Sequence, residues 1–119
     1  MLKIRNMGVE DAETVAKMVA LDHDADPAKG YKEARKHTLD HLKIVPQHCY
    51  IVDDDKQIIA AMVLHPQDKV FEIEDFHVKE IQRNKQALAL LKARLLEYLE
   101  NVQTEVLCCP YALMRLIAN

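Results

Sequence analysis

Between His48 and Val102 the hydrophobic period changes from that of strands to that of a helix, and this switch restricts the fold more than any other feature of the chain. His48 to Val52, Gln57 to Leu64 and Val70 to Val78 read as strands. Asp53-Asp54-Asp55-Lys56 and His65-Pro66-Gln67-Asp68-Lys69 are polar enough to be turns, so three successive antiparallel strands are the simplest arrangement. The middle strand is apolar almost throughout, which suits a strand covered on both faces. After Arg83 the spacing becomes helical: Leu88, Leu91, Leu95, Tyr98 and Val102 form one stripe, widened by Leu90 and Leu99. Thr104 to Cys109 reads as a further strand, parallel to the one before the helix because the helix is a right-handed crossover.

Upstream, Leu2 and Ile4 alternate with Lys3 and Arg5 as a short strand. A helix follows to about Leu21, with Ala12, Val15, Ala16 and Val19 on one face and Glu10, Asp11 and Glu13 near its positive end. Asp26-Pro27 is a restart signal: Asp caps free amides and Pro fits the first helical position. The second helix places Tyr31, Ala34, Thr38 and Leu42 inward and Lys32, Arg35, Lys36 and Lys43 outward, and Pro46 closes it. Pro110 opens a last short helix. The order is β-α-α-β-β-β-α-β-α, an α/β chain of the α+β kind.

The chain has 119 residues, enough for one core, so residues 1–119 are read as a single domain. Only two glycines and four prolines interrupt it, as expected of a compact fold rather than a disordered one. The longest apolar run, Ile58 to Leu64, is far shorter than the roughly 20 residues a bilayer crossing needs, and no secretory signal precedes the first strand. No membrane contact and a cytoplasmic location are expected. The three cysteines, Cys49, Cys108 and Cys109, lack CxxC spacing and are expected to be reduced and buried. A net charge of -3 argues against general nucleic-acid binding.

Two local patterns, set in this element order, resemble the GNAT superfamily of acyl-CoA-dependent N-acyltransferases. Ile4-Arg5-x-Met7-x-x-x-Asp11-x-x-x-Val15-x-x-Met18 is similar to the family's first strand and helix, I-R-x-A-x-x-x-D. Ile73-Glu74-Asp75-Phe76-His77-Val78-Lys79-Glu80-Ile81-Gln82-Arg83-Asn84-Lys85 is similar to I-x-x-L-x-V-x-P-x-Y-R-G-K-G-x-G and leads without a gap into the Leu-rich helix. Lys56-Gln57-Ile58-Ile59-Ala60 resembles the third strand. The resemblance implies a mixed, mostly antiparallel sheet flanked by helices, splayed between the strand ending at Val78 and the one starting at Thr104. It also implies acetyl-CoA as cosubstrate and the amine of a small molecule or peptide as acceptor.

By the same resemblance, the backbone of Phe76, His77 and Val78 would meet pantetheine, and Arg83, Asn84, Lys85, Gln86, Ala87 and Leu88 would surround the diphosphate. The family loop works because amides at a helix start point at phosphate. Gln86 and Leu88 stand where that loop has glycine or alanine, and Asn84 replaces another glycine, so the amides remain but side chains are added. Glu72 or Glu74 would take the proton of the amine and Tyr111 would act as general acid. The family's last two strands are not seen. The open edge this leaves implies a homodimer. A catalytically inactive module for oligomerisation or partner binding is the alternative function.

Several groups have plainer roles. Glu72 and Glu74 also suit solvated strand carboxylates, and Tyr111 suits packing. Cys108 and Cys109 have no evident activating base and read as buried thiols. His37 and His41, four residues apart on a helix, have the separation that lets two imidazoles meet one metal, but no third ligand is evident in the sequence. They are read as exposed histidines, and no metal site is expected. The basic run Lys29 to Lys43 is read as a solvated helix face.

Overall fold

The computed structural model describes residues 1–23, 27–66, 70–100 and 105–108. Five strands form one sheet in sequential order: β1 (Lys3–Asn6), β2 (Cys49–Asp53), β3 (Ile58–Pro66), β4 (Val70–Val78) and β5 (Glu105–Cys108). The first four are antiparallel, and β5 joins β4 in parallel. Three helices accompany them: α1 (Ala12–His23), α2 (Pro27–Ile44) and α3 (Lys85–Leu99). The expected cap Asp26, the last helix from Pro110, Cys109 and Tyr111 lie outside the described residues. No helix among the described residues is long and apolar enough to cross a membrane.

The sheet is covered on both faces, as the apolar middle strand requires. Leu88, Leu91 and Leu95 of α3 pack on Val52, Met62, Leu64, Phe71, Ile73 and Phe76. On the other face Val15 and Met18 of α1 meet Cys49, Ile51, Ala61 and Val63. Each large side chain so enclosed contributes roughly 1.5–3 kcal/mol. β3 reaches Pro66, beyond the expected end at Leu64, because His65 and Pro66 stay paired with Glu72 and Phe71 although the apolar run has stopped.

β1 is fastened to its neighbours by charge. The Arg5 guanidinium donates from Nη1 and Nη2 to the two oxygens of Asp11, at 2.9 and 3.0 Å, and from Nε to Asp53 at 2.8 Å. The Gly8 amide adds a bond to Asp11 Oδ2 at 2.8 Å. At the other end of the sheet, Tyr98 of α3 reaches the Tyr50 hydroxyl at 2.5 Å and His48 Nδ1 at 2.8 Å. Burial pushes the Tyr98 hydroxyl above its ordinary pKa and lowers that of His48.

One departure from the sequence reading and one irregularity of the sheet concern the site. In α2 the buried line is Ala34, Thr38 and His41, with Leu42 only partly covered, while Lys32, Arg35, Lys36 and Lys43 form the expected solvated face. In β4, Asp75 lies opposite Val63 whereas Ile73 lies opposite Leu64, so Glu74 is an extra residue in a β-bulge. The bulge explains why Phe71 and Ile73, then Phe76 and Val78, all join the core under α3 although the two pairs are three residues apart. In an unbroken pleat the second pair would face the opposite side.

Candidate functional site

The turn from β4 into α3 determines what the helix start offers. Glu80 takes a positive φ of 43°, and its carbonyl receives the Arg83 amide at 2.8 Å. Asn84 stands at the N-cap, its side-chain amide donating to the Lys79 carbonyl at 2.5 Å. The Leu88 amide bonds back to the Asn84 carbonyl at 3.1 Å, so that the amides of Lys85, Gln86 and Ala87 are, among the described residues, the orphan donors of the first turn. Gln86 is exposed, whereas Leu88 is 4% exposed and sits in the core. The two side chains in glycine positions therefore diverge, one into solvent and one inward.

Among the described residues, β4 pairs with β5 from Val70 to Ile73, while Asp75 to Val78 pair with β3. The Lys79 amide donates to Ile59 on β3 at 2.8 Å, so by alternation the backbone polar groups of Phe76 and Val78 face the other edge. The side chains of Phe76, His77 and Val78 are buried. A groove of about 690 Å³ runs past the turn, lined by Met18, Leu21, Ile59, Val78, Lys79 and Arg83 among others. Arg83 and Lys79 are exposed there, with Arg83 4.0 Å from Glu80.

A second cluster forms at the bulge. Glu74 Oε1 lies 2.7 Å from His37 Nε2 and 2.9 Å from His41 Nε2, both on α2. Its other oxygen touches His65 Nε2 of β3. Asp75, next in sequence, lies 3.2 Å from His77 Nε2 and 3.7 Å from His41 Nδ1. The reading of both α2 histidines as exposed is corrected here. His37 is exposed, but His41 is 5% exposed, because i,i+4 spacing turns both imidazoles toward a carboxylate that only the bulge could place there.

Burial alone would raise the pKa of Glu74, yet the hydrogen bonds of His41 and His37 and the positive charge of His41 and His65 outweigh it and hold the carboxyl at about 2. Burial likewise opposes ionisation of Asp75, and His77 overcomes it, so this carboxyl too is lowered. For His41 burial favours the neutral ring, but Glu74 more than compensates and raises its pKa. Glu72 is half-buried, opposite His65 and beside Leu107 of β5. The sequence reading passed over His65 and Asp75. Asp75 had one available signal, its place within the motif strand; His65 was hidden in an apparent turn.

The cysteines divide. Cys49 is buried, its thiol donates to the Val45 carbonyl at 3.3 Å, and burial pushes its pKa up to about 11, which makes it inert. Cys108 was expected to be buried but is half-exposed, because β5 is the last strand of the sheet among the described residues.

No family model matches the sequence, and no curated protein matches it. Solved structures do. A candidate acetyltransferase from Pyrococcus horikoshii superposes with a TM-score of 0.66 at 19% identity, over 82% of this chain and 34% of that one. This chain thus spans about a third of that protein's length. A candidate GNAT-family acetyltransferase from Desulfovibrio desulfuricans gives 0.68 at 16% identity, over 97% of this chain and 80% of its own. A GCN5-related N-acetyltransferase from Ralstonia eutropha gives 0.65 at 18%, over 95% and 86%. With five mostly antiparallel strands in sequential order among its described residues, the chain has the GNAT fold.

Proposed function

We propose that the protein is an acetyl-CoA-dependent N-acetyltransferase acting on the amine of a small molecule or peptide. The observation that carries this reading is the accessible first turn of α3: Gln86 points outward and Leu88 inward, so neither replaces the missing glycines with a plug over the amides. Three orphan amides and the helix dipole suit a diphosphate, and Lys79, Arg83 and Lys85 add positive charge around it. Pantetheine would lie along the edge to which the backbone polar groups of Phe76 and Val78 point, bringing the thioester toward the bulge. There the carboxylate–imidazole cluster accepts the amine proton, with His37 as its exposed member and Glu74 orienting the ring. Glu74 itself, held at about 2, is too weak a base to take that proton directly.

Thermal unfolding with acetyl-CoA, and separately with CoA, tests the reading. A ligand at 100 times its dissociation constant stabilises by about 2.7 kcal/mol. An unchanged melting temperature at millimolar acetyl-CoA would discard the transferase.

One feature favours a second reading, a GNAT-fold module for self-association or partner binding. Val106 and Leu107 are 43% and 47% exposed on β5, the last strand of the sheet among the described residues, and apolar side chains on such a strand invite pairing with another chain.

A further inference from the structure

We propose that His37, His41 and Glu74 form a binding site for one divalent transition-metal ion of the zinc type. Their donor atoms, His37 Nε2, His41 Nε2 and a Glu74 carboxylate oxygen, all lie within 4.8 Å of one another. Ligands of a tetrahedral zinc ion stand about 3.4 Å apart when each bond is about 2.1 Å long, so a small inward movement completes the geometry. Two imidazoles and a carboxylate are borderline donors suited to zinc, cobalt or nickel rather than to calcium or magnesium.

One buried atom points the same way. His41 Nδ1 has no hydrogen-bond partner among the described residues, and Asp75 Oδ2 stands 3.7 Å from it. Buried polar atoms are costly when left unpaired. His65 Nε2 lies against the other Glu74 oxygen and closes the far side of the cluster. With His41 drawn onto the ion through Nε2, its Nδ1–H faces Asp75 Oδ2, now 3.7 Å away, in the carboxylate–histidine–metal arrangement that fixes a ligating ring. Helix α2 would then be clamped to the bulge of β4 by coordination. Acetyl transfer is not needed for this inference. The two roles exclude each other at any moment, because a neutral imidazole that binds an ion through Nε2 carries its proton on Nδ1 and has no lone pair left to accept another.

The test is calorimetric titration of zinc into the chelator-treated full chain with no acetyl-CoA present, followed by cobalt substitution. One zinc per chain is expected, together with the visible ligand-field bands of a nitrogen- and oxygen-ligated cobalt ion. His37→Ala, at an exposed position that leaves the fold intact, and the isosteric Glu74→Gln should each weaken binding about 100-fold or more, as loss of a direct ligand exceeds the 10–100-fold effect of an outer partner. Unchanged affinity in both variants, no binding at all, or a sulfur-to-cobalt charge-transfer band assigning the ion to cysteine would each overturn the proposal. Failure here leaves the acetyl-CoA melting shift untouched, so the two readings fall separately.

Discussion

The guanidinium of Arg5 grips both carboxylate oxygens of Asp11, at 2.9 and 3.0 Å, and so ties the first strand to the start of the first helix. Its third donor bonds Asp53 across the sheet at 2.8 Å. Arg5→Ala should therefore lower stability by about 2–3 kcal/mol in urea unfolding, somewhat below the 3–5 kcal/mol for a fully buried pair because the Arg5 side chain is 38% exposed.

The same contact sets an acid limit. Arg5 lowers the pKa of Asp53, and for Asp11 its hydrogen bonds outweigh the opposing effect of burial. Both carboxylates thus bind protons more weakly folded than unfolded, where the value is about 3.9. Their contribution is present above that value and disappears as pH falls through the folded values. Wild type should lose stability more steeply than Arg5→Ala below about pH 4, and equal slopes in an acid unfolding series would refute the assignment.

At the helix start, Lys85 occupies the first position of α3, where proline is tolerated. Lys85→Ala removes a charge, while Lys85→Pro removes the charge and the amide donor. Acetyl-CoA should bind about 10-fold more weakly to the proline variant than to the alanine variant, the size of one hydrogen bond to a charged group. Similar affinities would mean that this amide does not hold phosphate.

Tyr98 joins α3 to β2 through hydroxyl contacts to Tyr50 and His48 at 2.5 and 2.8 Å. Tyr98→Phe keeps the ring and removes the shared oxygen, leaving both partners incompletely bonded. A loss of about 1–2 kcal/mol is expected, measured as a lower denaturant midpoint at constant slope.

If a second copy covers β5, melting temperature should climb with protein concentration. Leu107→Lys should remove that dependence, since a charge on an edge strand opposes pairing. A melt independent of concentration in wild type would favour a monomer.

The architecture was readable because it depends on local period. The strand-to-helix change around Arg83 and the Arg5/Asp11 spacing both appear in the structure where the sequence set them. The bulge was not readable from alternation alone, since Glu74 and Asp75 are adjacent acidic residues and either could be the extra one. Nor could spacing reveal the cluster, because His41 and Glu74 are 33 positions apart and meet only when α2 lies over the sheet. The i,i+4 pair gave two donors; the third came from another element. Tyr111 lies beyond the described residues.

Suppose β4 were one residue shorter, with Glu74 deleted. Phe71, Ile73, Phe76 and Val78 would then fall on one side of a regular pleat, and everything they pack against under α3 could stay as it is. What would vanish is one of two neighbouring acids turned toward the imidazoles. The inserted position is dispensable for burying this strand, and its value to the molecule is chemical.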